Sequence, residues 1–150
     1  MIPGLNKAEF LRFGVMHRNS FINSPELLNS TLNLKKHENI YFAGQLSGVE
    51  GYMESAACGI VAAYSAASRL IYEKDFILPK NTMIGALLHY ITDPNTKKFQ
   101  PMAANMGLLE ALSERIKSKK ERYLNIYNKS MQNLAGFIKN SEITRKEEIK

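Results

Sequence analysis

Apolar positions along the chain fall into one short unbroken run and three stretches at helical spacing. Ile40, Tyr41, Phe42 and Ala43 follow one another without a polar break, the pattern of a short buried strand. From Tyr52 to about Leu70 the residues are rich in Ala, Ser and Gly, which predicts one helix able to lie close against its neighbours. Asn81-Thr82 ahead of Met83-Ile-Gly-Ala-Leu-Leu-His-Tyr-Ile, with Asp93-Pro94 after it, predicts a capped and largely buried helix stopped by the proline. Leu112, Ile116, Tyr123, Ile126, Tyr127, Leu134, Phe137 and Ile138 recur at three- and four-residue steps. That stripe predicts a C-terminal helix with Ser113 as its N-cap and an apolar face packed on the rest of the chain. Residues 1–36 break short apolar runs with Pro, Gly, Asn and Ser, so irregular structure or short strands are expected there.

Gly44, Gly48 and Gly51 punctuate the step from the predicted strand into the first long helix. Glycine lets the backbone adopt conformations and approach distances that a Cβ forbids, and a helix N-terminus aims free amides at such a turn. Two readings fit this spacing: a tight strand-to-helix connection, or a turn whose main chain touches a ligand. The partial positive charge there favours a phosphate or the N1/C2 oxygen side of a reduced flavin, and Glu50 and Glu54 weigh against phosphate. Neither G-x-G-x-x-G nor G-x4-G-K-[ST] occurs, so no primary pyrophosphate loop is recognisable.

The composition, 45% hydrophobic and 23% charged over 150 residues, is that of one globular domain or a piece of one and excludes disorder throughout. No apolar run approaches a bilayer span and no signal-peptide pattern opens the chain. A single cysteine, Cys58, rules out an internal disulfide and a thiolate cluster, and three dispersed histidines give no metal-binding pattern. A cytoplasmic location and no metal are therefore expected. The formal charge of +6 is uneven: residues 1–112 hold 10 Lys+Arg and 9 Asp+Glu, and residues 113–150 hold 10 and 5. The basic run through Lys119, Lys120 and Arg122 reads either as a phosphate-neutralising patch or as a solvated helix face, with no aromatic stacking platform beside it.

The run Phe42-Ala-Gly-Gln-Leu-Ser-Gly-Val-Glu-Gly-Tyr-Met-Glu-Ser-Ala-Ala-Cys-Gly closely resembles the flavin-side turn and helix of the folate- and FAD-dependent tRNA uracil-5-methyltransferase family, TrmFO, within the GidA-related flavoproteins. Phe13-Gly-Val-Met-His-Arg-Asn, Phe21-Ile-Asn-Ser-Pro, His89-Tyr-Ile-Thr and Phe99-Gln-Pro-Met-x-Ala-Asn-x-Gly-Leu resemble its other segments in order, and Lys119-Lys-Glu-Arg fits its C-terminus. The resemblance covers residues 1 to about 140, the last third of the family's chain. It implies an α/β fold: the C-terminal part of a Rossmann-type FAD-binding domain, followed by a mainly helical C-terminal region. The expected divisions are an insertion region returning to the FAD domain (1–38), the flavin-side strand, turn and helix (39–75), a helical part (76–140) and a frayed tail (141–150).

What the resemblance implies is formation of 5-methyluridine in the tRNA T-loop, with 5,10-methylenetetrahydrofolate giving the carbon, reduced FAD the electrons, and NAD(P)H reducing the flavin. Gly44, Gln45, Gly48, Val49, Glu50 and Gly51 become the FAD-binding candidates, Gln45 otherwise bracing the turn. His17, whose residue-level reading is a partly buried imidazole, matches the family's folate-stacking histidine. Tyr52 either flanks the folate or plugs the core, and the folate-side role is the one expected. Lys119, Lys120 and Arg122 are the tRNA-binding candidates. Cys58 is not the nucleophile: it sits on a packed Ala/Gly helix face and matches a small-residue position of the family. The family's catalytic cysteine and glycine fingerprint precede the resembling part, so the chain is expected to be inactive alone and to need the missing N-terminal part as a partner. The rival readings are a non-catalytic basic module binding tRNA or protein, and a GidA-like wobble-uridine modification protein.

Overall fold

The computed structural model describes residues 3–9, 11, 14, 19–110 and 116–141. Its helices are α1 (Ser24–Leu27), α2 (Tyr52–Tyr72), α3 (Met83–Thr92) and α4 (Lys119–Asn140), with 310 turns at Gly44–Ser47 and Met106–Leu108. α3 forms where local signals predict it. The Thr82 hydroxyl accepts from the Gly85 amide at 3.1 Å, which satisfies one of the free donors of the first turn. Leu87 and Ile91, one turn apart, are fully buried and join Val61, Phe76 and Leu78 in the core. The half-buried His89 ring donates from Nε2 to the Leu78 carbonyl at 3.1 Å. Burial pushes its pKa down; the carbonyl opposes this and the neighbouring Lys80 charge adds to it.

α2 runs for 21 residues. Cys58, Val61, Ala62, Ser65 and Ser68 form its buried face, and the Ser65 hydroxyl donates to the Phe76 carbonyl at 2.9 Å. That bond ties α2 to the returning chain and satisfies a buried hydroxyl. Glu73 closes the helix in the left-handed region at φ 55°, and Arg69 in the last turn pairs with Glu38 and lies 3.7 Å from Asp75.

The expected strand at residues 40–43 is reduced to an isolated antiparallel bridge between Asn33 and Tyr41. Phe42 donates to the Leu32 carbonyl at 2.9 Å and Leu34 to the Ile40 carbonyl at 2.8 Å. Among the described residues only this one edge is paired, and a lone pair of segments does not sustain a ladder. Ile40 is exposed, and Tyr41, Phe42 and Ala43 are half-buried rather than buried. Among the described residues the chain is therefore mostly helical, with isolated bridges in place of strands. Residues 19–36, expected to be irregular or stranded, contain α1 and turns.

α4 begins later than its apolar stripe predicts. Ser118 is the N-cap, its hydroxyl accepting from the Glu121 amide at 3.4 Å, and Ile116 precedes the helix. Leu112 and Ser113 lie outside the described residues. Leu134 and Phe137 pack against the core, with the Phe137 ring edge-on to Phe76 at 5.1 Å between centroids. Tyr123 and Tyr127, expected on the packed face, are 39% and 56% exposed. The core reaches only the C-terminal half of α4, so the same stripe emerges into solvent nearer the N-terminus.

Candidate functional site

The turn ahead of α2 is held from three directions. Within it, the Gly48 amide donates to the Gln45 carbonyl at 3.0 Å, and the Ser47 hydroxyl to the Gly44 carbonyl at 2.7 Å. From below, the buried Ser24 hydroxyl donates to the Ser47 carbonyl at 2.8 Å, and the Ile22 amide to the Leu46 carbonyl at 2.9 Å. From the side, Val49 bridges Met102 in parallel: Met102 donates to Gly48 at 3.0 Å, and Glu50 donates to Met102 at 2.9 Å. The turn is thus built by segments on both sides of it in sequence.

Two of its glycines are needed for different reasons. Gly48 sits at φ 86°, and a Cβ there would run into the Phe99 ring, with Cε1 at 2.8 Å. Gly51 sits at φ 97° as the N-cap of α2 and leaves that helix without a side-chain cap. The Glu54 carboxylate folds back over Gly51, its Cδ 2.7 Å from where a Cβ would stand. An acidic group in the first turn complements the helix dipole and repels a phosphate.

Beside this helix end lies an open cleft of about 490 Å³ lined by Asn19, Gln45, Gly51, Tyr52 and Ser55. Of the sequence-predicted residues it gathers Gln45, Gly51 and Tyr52. Gly48 and Val49 face the interior, Val49 with no exposed surface. Glu50 is exposed and Gly44 half-buried against Ser55, whose Cβ would be 3.5 Å from a Cβ on Gly44. Tyr52 is 97% exposed and plugs no core among the described residues. His17 lies outside the described residues. Asn19 and Ser55 are the lining residues that sequence reasoning missed. Ser55 carries a signal in hindsight, since it stands one helical turn beyond Gly51 and its amide donates to the Gly51 carbonyl at 2.9 Å.

Cys58 is fully buried beneath the turn, its Sγ 3.9 Å from the Ser47 Oγ. Burial pushes the thiol pKa up, against smaller opposing effects from the Gly44 backbone and the Ser47 hydroxyl. A raised pKa leaves little thiolate at neutral pH, the opposite of what a nucleophile requires. Cys58 is expected to react with an aromatic disulfide reagent at least tenfold more slowly in the native chain than in denaturant, as read by absorbance. Equal rates would show the thiol to be accessible in the folded chain, and a faster native rate would show it to be activated. Because the folded pKa is raised, stability is full below the ordinary thiol range and falls as pH rises through it.

The basic candidates lie together at the start of α4, where Lys119, Lys120 and Arg122 are all exposed. No His, Cys, Asp or Glu cluster able to hold a metal occurs among the described residues, and no described helix is long and apolar enough to cross a membrane.

Comparison with known proteins adds what the geometry alone leaves open. The chain is 51% identical over 140 residues to the methylenetetrahydrofolate-tRNA-(uracil-5-)-methyltransferase TrmFO of Halalkalibacterium halodurans, covering 93% of this chain and 32% of that protein. It is 51% identical over 139 residues to the TrmFO of Streptococcus agalactiae, covering 92% and 31%. With the TrmFO of Staphylococcus epidermidis it shares 55% over 124 residues, covering 82% and 28%. The chain thus spans about a third of the length of the curated relatives it matches. A family model described as glucose inhibited division protein A matches residues 1–75. That half of the chain contains the turn, the cleft and α2, and on this match the chain belongs to the glucose inhibited division protein A family.

Proposed function

We propose that the chain is the flavin-side portion of a tRNA uracil-5-methyltransferase that uses 5,10-methylenetetrahydrofolate and reduced FAD to form 5-methyluridine in the T-loop. The observation that carries this reading is the cleft at the N-terminus of α2, where Gln45, Gly51, Tyr52 and Ser55 meet an N-cap without a side-chain bond. A cleft of about 490 Å³ falls in the range of about 300–1,000 Å³ used for small-molecule sites. The residues fit an uncharged heterocycle better than a phosphate. The helix end favours partial negative charge, the Gln45 amide offers both donor and acceptor, and Glu54 opposes a full anion. When bound, the flavin supplies electrons and the folate the carbon, with NAD(P)H as reductant.

On this reading Gly44, Gln45, Glu50 and Gly51 border the flavin ring, while Gly48 and Val49 hold the turn from inside. Tyr52 stands at the mouth for the folate, and His17 is assigned to the folate by the resemblance of its segment alone. Lys119, Lys120 and Arg122 contact tRNA phosphates. The chain takes the place of the closing part of a Rossmann-type FAD-binding domain in a cytoplasmic enzyme, with the nucleophile supplied from elsewhere in the whole protein.

The test is a chimera in which this chain replaces the matching 140 residues of the Halalkalibacterium halodurans relative. The expected product is yellow, retains FAD through gel filtration and methylates a tRNA transcript. In it, Gln45→Ala lowers flavin occupancy, and Tyr52→Ala raises the folate KM with flavin retained. A folded, monodisperse chimera without flavin overturns the site and favours a non-catalytic binding module.

A further inference from the structure

We propose that the N-terminal half of α4 is an RNA-stacking surface in which Tyr127 receives an unpaired base and Lys119, Lys120 and Arg122 hold the adjacent phosphates. The inference rests on the tRNA reading above and adds to it an aromatic contact. Lys120, Leu124, Tyr127 and Met131 follow at four-, three- and four-residue steps, so they share one side of the helix. Leu124, Tyr127 and Met131 are 56%, 56% and 47% exposed. This side is apolar, outward-facing and flanked by charge.

The charge selects the occupant. α4 carries Lys119, Lys120, Arg122, Lys129 and Lys139 against the single acid Glu121, and no ion pair among the described residues involves any of them. Protein-protein interface cores are depleted in lysine. The exposed Tyr127 overturns the expectation that no aromatic platform accompanies these cations, and exposed cations with an interleaved aromatic ring are what tracks a single-stranded phosphate backbone and stacks its bases. The two exposed tyrosines are not equivalent. Lys119 Nζ lies 5.6 Å and Arg122 Cζ 5.7 Å from the Tyr123 ring centroid, so that ring holds the two cations at the head of the helix. The Tyr127 ring has no aromatic or cationic partner among the described residues and remains available to a base.

Fluorescence anisotropy with the 150-residue chain and labelled RNA tests this, using a tRNA transcript and a fully paired duplex of similar length over a salt series. Tyr127→Ala should weaken tRNA binding about 5- to 100-fold, Tyr127→Phe should stay within about twofold of wild type, and the salt slope should not change in either. Lys120→Gln should flatten the slope by about one. Duplex binding should be indifferent to Tyr127. Wild-type tRNA affinity in Tyr127→Ala, or an equal loss on tRNA and duplex, overturns the stacking role and leaves the tRNA reading standing. Loss of affinity in Tyr127→Phe assigns the contact to the hydroxyl and likewise overturns it. A wild-type chain that binds neither RNA overturns this inference together with the assignment of Lys119, Lys120 and Arg122 to tRNA.

Discussion

Alanine at Gly85 is expected to lower the unfolding free energy of the chain by about 2–4 kcal/mol, far beyond an ordinary surface substitution. Gly85 lies in the first turn of α3, and a Cβ there would strike the Pro79 carbonyl oxygen and stand 2.5 Å from Thr82 Oγ1. Neither atom is free to move. The Pro79 carbonyl accepts from the Thr82 amide at 3.1 Å and from the Thr82 hydroxyl at 2.8 Å, and the same hydroxyl caps Gly85. A new methyl must break this arrangement, at about 1 kcal/mol for each lost bond, or lift α3 and its buried Leu87 and Ile91 out of the core. The better helix propensity of alanine returns only about 1 kcal/mol. Gly136 provides the contrast, since it lies inside exposed α4 with open space where a Cβ would go. There the same substitution should stabilise by about 0.5–1 kcal/mol. Urea unfolding with unchanged m-values would report both effects, and a Gly85→Ala midpoint equal to wild type would sink the account.

The same pair of helices shows which parts of the fold the sequence reveals. α3 is legible because its limits are local: a threonine cap, an apolar run and a proline two residues past the end. The strand at residues 40–43 is not, because apolar continuity reports a preference that only a partner on each side converts into a ladder. α4 is legible in kind and wrong in extent. Serines stand at both 113 and 118, and propensity alone does not choose between them, whereas the Glu121 amide bonds the second. Nor does a stripe announce where its partner surface stops. Leu134 and Phe137 meet the core and Tyr127 does not, although all three belong to one periodicity.

The candidate site divides in the same way. Glycines at 44, 48 and 51 announce an unusual turn before a helix, and the uncapped end of α2 follows from them. That Gln45, Gly51 and Tyr52 share a cleft with Asn19 and Ser55 depends on the Ser24 and Ile22 bonds that pull the preceding segment beneath the turn. No local pattern encodes those contacts. The burial of Cys58 was legible, since its neighbours are small and apolar and no base accompanies it.

Gly48→Ala is expected to cost about 2–4 kcal/mol, and its cause can be separated experimentally into two parts. The left-handed conformation, φ 86° and ψ 17°, costs a residue with a Cβ about 1–2 kcal/mol. The rest is steric. The Phe99 ring lies directly against the Gly48 Cα, is itself buried, and is boxed in by Phe21 at 5.9 Å and Tyr90 at 6.1 Å between centroids. Overpacking of this kind typically costs about 1–3 kcal/mol. Phe99→Leu removes the ring atoms that a new methyl would strike but leaves the backbone strain untouched. A double-mutant cycle should therefore give a favourable coupling of about 1–3 kcal/mol between Gly48→Ala and Phe99→Leu, with the strain remaining in the double variant. In the flavin-binding chimera the consequence reaches the cleft, because Phe99 and Met102 belong to the segment that braces Gly48 and Glu50. Gly48→Ala should release flavin on gel filtration, and Phe99→Leu should restore part of it. Additive stabilities would mean that the ring yields freely, and glycine would then be required at this position for its backbone conformation alone.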